Sequence, residues 1–369
     1  MKKGWELKTL DEICVKASSN VSQNQLADEK GKFPIYGAGG FIKNVSFYHQ
    51  DKEYVSIIKD GAGIGRISLL PAFSSVIGTL QYLIPKENIN IRYFYYFLLS
   101  IDFLKHKNGS TIPHIYFKDY SVEKILVAPL SEQKRIVGIL DKVFADIAKA
   151  KENAEKNLQN ARELFESYLQ NIFAHPGDGW EEKKLGEVCD FEGGSQPPKD
   201  EFVYKEMDGY IRLIQIRDYK TDNKKVYIPI VKAKRFCDES DIMIGRYGPP
   251  VFQILRGIKG AYNVALMKTV PKKEKITKEF IYFYLKHRDL QQYIINLSQR
   301  AVGQTGISKE DLEVYPIYFP SKEKQRKVTD SINLLSISNK RLEEIYQQKL
   351  ADLEELKKSI LQKAFNGEL

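Results

Sequence analysis

Residues 131–174 read SEQKRIVGILDKVFADIAKAKENAEKNLQNARELFESYLQNIFA. Apolar side chains recur through this stretch at steps that alternate between four and three residues, with one doubled step of four that ends at Leu158. Neither proline nor glycine occurs between Leu140 and Ala174. This spacing predicts one long helix with a single apolar seam, a rod of roughly 60 Å at ~1.5 Å per residue. The predicted seam residues are Ile136, Leu140, Val143, Ile147 and Leu158.

The same pattern returns 192 residues later, near the C-terminus. The doubled step of four recurs there, between Tyr346 and Leu350, so the two stretches share an irregularity as well as a period. We interpret them as two copies of one element and the chain as an internal repeat. The predicted seam residues of the second copy are Val328, Ile332, Leu335, Asn339, Leu342, Leu350 and Leu353.

Each predicted helix needs a partner for its seam, and the nearest is the other helix. Burial of an apolar side chain stabilises by ~1.5–3 kcal/mol, so pairing is favoured over leaving both seams in water. We therefore expect an antiparallel coiled coil with pseudo-two-fold symmetry, which would bring Leu369 close to Trp5. Asn339 interrupts the seam with a polar side chain; it either fixes the helix register, as a buried asparagine can, or lies at an exposed edge.

A globular segment precedes each long helix, and the two segments begin alike. Gly4-Trp5-Glu6 opens the first and Gly179-Trp180-Glu181 opens the second. Both contain β-branched and aromatic runs bounded by glycine, proline or aspartate, which predict strands. Glycine clusters at 37–40 and 61–65 of the first segment predict tight turns. Each also contains one aromatic-rich helix, near 91–99 and 278–285, whose rings we assign to the core.

The predicted fold class is therefore α+β, with two mixed, strand-rich globular domains separated by the paired helices. The expected limits are 1–130 for the first domain, 131–174 for the first long helix, 175–320 for the second domain and 321–369 for the second long helix. A chain of 369 residues exceeds what one ordinary core accommodates.

Charge and residue types narrow the function. The net charge of +9 is compatible with a polyanionic partner, and no apolar run approaches the ~18 residues of a membrane span, so we expect a cytoplasmic protein. The three cysteines and five histidines show no metal-ligand spacing, and we expect neither a metal nor a cofactor on this chain.

Motifs of catalysis are missing from the sequence: it contains no P-loop, no HExxH and no Asn-Pro-Pro-aromatic methyltransferase motif. Asp178, Glu181 and Lys183 loosely resemble a nuclease triad. The first copy of the repeat has the same Gly-Trp-Glu sequence, at Gly4-Trp5-Glu6, without the aspartate, so we interpret these residues as part of the repeated scaffold. We expect a protein that is not an enzyme.

The positive charge lies on the globular segments. Residues 1–130 and 180–320 each carry a net +4, which leaves +1 for the rest. Two basic domains on a nearly neutral spacer are typical of a protein that contacts double-stranded DNA at two places. Candidate DNA-contacting residues, chosen as basic, amide or hydroxyl side chains next to glycine turns, are Lys59, Arg66, Ser110, Thr111, Gln215, Arg217, Arg246, Tyr247, Gln304 and Thr305.

Several motifs resemble the specificity subunit of type I restriction–modification enzymes. They are the two Trp-Glu-x-Lys-x-Leu-x-Glu openings, PLSEQKRI at 129–136, SDIMIGRYG at 240–248 and LKKSILQKAFNGEL at 356–369. The resemblance implies two target-recognition domains that each read half of a bipartite, asymmetric DNA site. It also implies a coiled coil that sets the gap and docks two modification subunits, which bring S-adenosylmethionine and methylate adenine, with restriction subunits in the full complex.

Lys59-Asp60-Gly61 stands in the first domain where the second has Arg246-Tyr247-Gly248, so base contacts are less well defined in the first. There are two alternatives to a DNA-specificity subunit. One is a coiled-coil interaction scaffold whose domains bind proteins, with an affinity that is nearly independent of DNA and lacks the salt dependence of counterion release. The other is an unrecognised nuclease, which would cleave DNA with a metal.

Overall fold

The computed structural model describes residues 4–109, 111–272, 274–300 and 306–369. The chain forms two compact units. Unit 1 comprises Met1–Glu155 with Gln347–Leu369, and unit 2 comprises Lys156–Tyr346. The division falls within the two long helices, so the limits predicted for the recognition domains stay a prediction.

Unit 1 is built on short strands and one aromatic helix. Its strands are β1 (Glu6–Thr9), β2 (Cys14–Ser18), β3 (Phe33–Gly37), β4 (Gly40–Val45), β5 (Tyr54–Ile58), β6 (Ile67–Leu70), β7 (Ser75–Val76), β8 (Leu80–Pro85) and β9 (Lys124–Val127). Its short helices are α1 (Leu10–Ile13), α2 (Ile91–Ser100) and α3 (Phe117–Tyr120).

The main sheet of unit 1 has the antiparallel order β2-β8-β5-β6. All five residues of β5 are buried, as expected for an inner strand covered on both faces. A smaller sheet, β4-β3-β7, carries the tight turn predicted at 37–40, and β1 pairs with β9. Helix α2 begins where the Asn90 side chain accepts the N–H groups of Arg92 and Tyr93.

Unit 2 repeats this plan with longer connections. Its strands are β10 (Glu181–Lys184), β11 (Cys189–Gly193), β12 (Tyr210–Ile214), β13 (Tyr227–Pro229), β14 (Phe236–Cys237), β15 (Ile242–Gly245), β16 (Gln253–Leu255), β17 (Gly260–Tyr262), β18 (Leu266–Pro271) and β19 (Pro316–Phe319). The long helices that both units share are α4 (Leu130–Ala174) and α9 (Lys322–Phe365). The shorter helices of unit 2 are α5 (Leu185–Val188), α6 (Lys278–Tyr284), α7 (Arg288–Arg300) and α8 (Lys309–Glu313).

The sheets confirm the internal repeat. The order β11-β18-β15-β16 in unit 2 reproduces β2-β8-β5-β6 of unit 1, and β10 pairs with β19 as β1 pairs with β9. The extra residues of unit 2 contribute to a mixed sheet, β13-β12-β17-β14, in which β12 and β17 run parallel. The rings of the two aromatic helices belong to the cores as predicted, with Phe94 and Phe280 fully buried.

Within each unit, α4 and α9 run antiparallel. In unit 1 the beginning of α4 shares a core with the end of α9, through Leu140 and Phe365, and Lys151 Nζ lies 2.7 Å from Glu354 Oε1. In unit 2 the end of α4 shares a core with the beginning of α9, through Phe173 and Ile332. The C-terminal segment of unit 1 lies against Trp5, since a Cβ added at Gly367 would be 3.8 Å from Trp5 Cζ3. The predicted proximity of the two ends is thus confirmed.

The predicted seam is correct at most positions. Among its residues Ile136, Leu140, Ile147, Ile332 and Asn339 are buried, and Val143, Leu158, Val328, Leu335, Leu350 and Leu353 are half-buried.

Leu342 is the exception, because 42% of it is exposed. At this level Glu343 occupies the inner side of α9: its carboxylate accepts hydrogen bonds from Asn339 Nδ2 (3.1 Å) and Arg162 Nε (3.1 Å). That pairing turns the neighbouring leucine toward water. Asn339 itself is buried and hydrogen-bonded, which excludes the exposed-edge interpretation.

Candidate nucleic-acid interface

Lys59 and Arg246 occupy the same position of the repeated fold. Each follows an inner strand of the main sheet, and each donates its backbone N–H to the residue before the neighbouring strand, Lys59 to Thr79 O and Arg246 to Ala265 O. Each backbone carbonyl then accepts an N–H from a later loop, that of Ile115 (3.0 Å) or Ile307 (3.2 Å). The two units therefore present different side chains on a shared backbone scaffold.

In unit 1, the Lys59 segment packs beside the loop that contains Thr111. The Gly61 N–H donates to Pro113 O at 2.9 Å, and the Asp60 carboxylate lies 2.7 Å from His114 Nδ1. Gly61 has a φ of 94°, which a glycine adopts without strain. Lys59 and the exposed Thr111 are thus carried by two adjoining loops, whereas Ser110 lies outside the described residues.

Arg66 is exposed but takes part in the local structure of unit 1. Its Nη2 donates to Ala38 O at 3.1 Å, which ties the glycine turn at 61–65 to the turn at 37–40. A Cβ added at Gly63 would lie 2.5 Å from that same Nη2, so glycine is needed for the guanidinium to lie across the turn. The remaining face of the guanidinium is available to solvent.

In unit 2, the side chains of Arg246 and Tyr247 contact each other. The Arg246 guanidinium lies 5.5 Å from the centre of the Tyr247 ring, and its Nε donates to Ile307 O at 3.0 Å. A Cβ added at Gly306 would lie 2.5 Å from Tyr247 Cε1, so the loop can approach the ring only with glycine at this position. Gln304 and Thr305 lie outside the described residues.

Gln215 and Arg217 line a different feature, a cleft of about 650 Å³ in unit 2. We call it the basic cleft; it is also lined by Lys199, Asn223, Lys224 and Lys225, which are not among the predicted DNA-contacting residues. The pair of lysines is visible in the sequence, but the return of the 223–226 loop to the side of Arg217 is not. Lys225 also pairs with Asp222 at 3.1 Å, and hydrogen bonds from Lys225 and Arg212 hold the pKa of Asp222 below its usual value.

Throughout the part of the chain that the structure describes, no group of three or more His, Cys, Asp or Glu side chains could hold a metal ion. Over the same residues, no helix has the length and apolar character needed to cross a membrane. Cys14, Cys189 and Cys237 are all free and buried.

Comparison with a family model also finds one domain twice in the chain. The family model of the type I restriction modification DNA specificity domain matches residues 2–156 and, a second time, residues 177–354. The specificity subunit of the type I restriction enzyme MjaVIII from Methanocaldococcus jannaschii is 25% identical over 352 residues, which covers 85% of this chain and 79% of that protein.

Solved structures show the same fold. A chain from a study of complex assembly and conformational transition of the type I R-M system has a TM-score of 0.80 at 18% identity, covering 100% of this chain and 99% of the other. The HsdS subunit from Thermoanaerobacter tengcongensis has a TM-score of 0.58 at 18% identity, covering 100% of this chain and 98% of the other. The predicted fold class is thereby confirmed. With two copies of the family domain spanning nearly its whole length, the chain belongs to the type I restriction–modification DNA specificity family.

Proposed function

We propose that this chain is the DNA-reading subunit of a type I restriction–modification complex and that each unit binds one half of a bipartite, asymmetric DNA site. The observation that carries the proposal is the equivalence of Lys59 and Arg246, which have the same backbone hydrogen bonds but different side chains. A duplicated scaffold with unlike surfaces suits two different half-sites. The chain itself contributes recognition and no catalysis.

The proposed DNA contacts belong to two groups. In unit 1 they are Lys59, Arg66 and Thr111, carried by adjoining loops; in unit 2 they are Gln215, Arg217, Arg246 and Tyr247. Arginine and glutamine can make paired hydrogen bonds to base edges in the major groove, and lysine contacts phosphates. These side chains would distinguish the two half-sites, since the corresponding positions of the repeat differ.

We further propose that α4 and α9 set the distance between the half-sites and dock two modification subunits, with restriction subunits joining the full complex. Leu164 and Leu356 support the docking role. They lie 192 residues apart, at the same position of the repeat, and are 59% and 45% exposed. A large apolar side chain exposed at both copies of a repeat suits two equivalent partners.

Selection from a random DNA library tests the proposal. The chain would be assembled with its modification subunits, and the bound DNA would be sequenced. We expect two short, unlike motifs separated by a gap of fixed length, with an affinity that falls steeply as salt rises. One contiguous motif, or none, would refute a two-part reader. Binding that is nearly independent of salt and sequence would favour the interaction scaffold instead.

A further inference from the structure

The basic cleft of unit 2 has a one-sided charge. Lys199, Arg217, Lys224 and Lys225 contribute four cations to its wall, and none of the side chains lining it is acidic among the residues described. Gln215 and Asn223 add amide groups that can both donate and accept hydrogen bonds. A wall of this composition fits an anionic ligand that also offers hydrogen-bonding edges, as a nucleic acid does.

Two contacts with neighbouring residues fix the orientation of the Arg217 guanidinium. Its Nη2 donates to the backbone carbonyl of Lys224 at 3.3 Å, and its Nε lies 3.7 Å from Asp218 Oδ1. Asp218 is only 5% exposed, and it also accepts the backbone N–H of Gln215 at 2.9 Å. One buried carboxylate therefore orients both the arginine and the glutamine backbone of the cleft.

The front of the Arg217 guanidinium is open, because 47% of the side chain is exposed. Arg212, the other arginine near Asp218, is only 16% exposed and pairs with Asp222 at 2.9 Å. Of these two arginines, only Arg217 can present a planar pair of N–H groups outward. A guanidinium that is oriented before binding loses less conformational freedom when it contacts DNA. Its fixed, planar donors suit paired hydrogen bonds to one base better than a non-specific contact with the phosphate backbone.

We propose that Arg217 recognises a guanine in the half-site bound by unit 2, by donating two hydrogen bonds to O6 and N7 of that base. Lys199, Lys224 and Lys225 hold the neighbouring phosphates at the rim of the same cleft. This inference rests on the proposed function and names the base that one residue reads. Arginine suits guanine because both acceptors lie on one edge of the base in the major groove.

The test compares library selection by the wild-type complex and three variants. Arg217→Ala removes the guanidinium, and Arg217→Lys keeps the charge beside Asp218 but loses the planar pair of donors. Arg235→Ala is the matched control, because Arg235 is 48% exposed and paired with a carboxylate in the same unit but lies outside the cleft. A cooperative thermal unfolding transition is used to check that each variant is folded.

We expect both Arg217 variants to lose preference for guanine at one position of one half-site, by about fivefold to 150-fold. Preferences at the other positions and in the other half-site should stay, and Arg235→Ala should leave the motif unchanged. Lys224→Ala combined with Lys225→Ala should weaken binding to all sequences. It should also reduce the slope of log affinity against log salt concentration by about the amount that two phosphate contacts contribute.

Three results would overturn the inference: an unchanged motif with Arg217→Ala, an equal loss at every position, or a lost preference for a base other than guanine. In each of these cases the wild-type complex still selects a two-part site, and the proposed function stands. If the wild-type complex selects no two-part site, the proposed function fails as well, so the two failures are distinguishable.

Discussion

Gln133 and Gln325 lie 192 residues apart and make the same three hydrogen bonds in their respective units. Nε2 donates to the carbonyl five residues earlier, that of Ala128 or Pro320, at 2.8 Å. It also donates to the carbonyl of Asn88 (3.0 Å) or Lys275 (3.1 Å). Oε1 accepts the backbone N–H of the residue that caps the aromatic helix, Asn90 or Thr277, at 2.8 Å. Each glutamine thus joins a globular domain to the first turn of its long helix.

Replacing either glutamine by leucine should destabilise its unit strongly. The side chains are 1% and 0% exposed, so the change removes three hydrogen bonds that are buried or partly buried and leaves one N–H and two carbonyl groups without that partner. Each such group costs about 1–3 kcal/mol, and we expect a loss of about 2–5 kcal/mol in the free energy of unfolding. Chemical denaturation of Gln133→Leu and Gln325→Leu measures this loss relative to the wild-type chain.

Gln159→Leu is the control for this pair. Gln159 is exposed on α4 and donates only to Glu163, one turn away on the same helix. We expect a change within about 0.5 kcal/mol. Equal effects at Gln159 and Gln133 would show that the shared hydrogen bonds do not fasten the domain to the helix.

His287 should make unit 2 sensitive to acid. It is 3% exposed, burial lowers its pKa, and its Nδ1–H donates to Tyr284 O. The unfolded chain, with a histidine pKa of about 6.5, therefore binds a proton more readily than the folded one. The free energy of unfolding should be highest above about pH 6.5 and should fall as the pH drops below it.

Unfolding midpoints measured from pH 7.5 to 5.5 test this prediction. His287→Gln should flatten that part of the profile, whereas the exposed His175→Gln should leave it unchanged. A wild-type slope that persists in His287→Gln would assign the acid sensitivity to other groups.

The cysteines should be unreactive in the folded protein. Burial raises the pKa of the Cys14 and Cys189 thiols to about 12 and that of Cys237 to about 11. Since the thiolate is the reactive form, alkylation with iodoacetamide at pH 8 should be very slow. Mass spectrometry should find three modified thiols only after denaturation; rapid modification of the native chain would contradict the buried positions.

Leu164 and Leu356 should each hold one modification subunit. A lysine at either position would bring a charge into an apolar contact, and we expect at least tenfold weaker binding of one subunit, with both lost in the double variant. Native mass spectrometry gives the stoichiometry. Gln159→Lys, on another side of α4, should still bind two subunits. If the double variant still binds two modification subunits, the docking surface does not include Leu164 and Leu356.

The sequence predicted the long helices and the repeat because both depend on local patterns. Apolar periodicity identified Ile136 and Ile332 as buried without any knowledge of the fold. It failed at Leu342, where the cross-helix contact of Glu343 with Arg162 decides which side of α9 turns inward. A local pattern does not contain that long-range pairing.

The candidate DNA interface was predicted only in part, for the same reason. Gln215 and Arg217 closely follow a run of residues that predicts a strand, so their place near the end of that strand could be inferred. Lys199 and Lys224 reach the same cleft from separate loops, and only the folded arrangement shows it. The correspondence of Lys59 with Arg246 was predicted from the sequence. The backbone hydrogen bonds that both residues accept, from Ile115 and Ile307, come from loops far along the chain, and a local pattern does not contain them.

Lengthening both helices tests most directly whether they set the gap between two readers. Three heptads inserted after Glu155 in α4 and after Tyr346 in α9 would add about 31.5 Å, close to one turn of DNA at ~34–36 Å. Library selection with this variant should recover both wild-type half-motifs with a gap longer by about nine or ten base pairs. An unchanged gap, or altered half-motifs, would contradict the account.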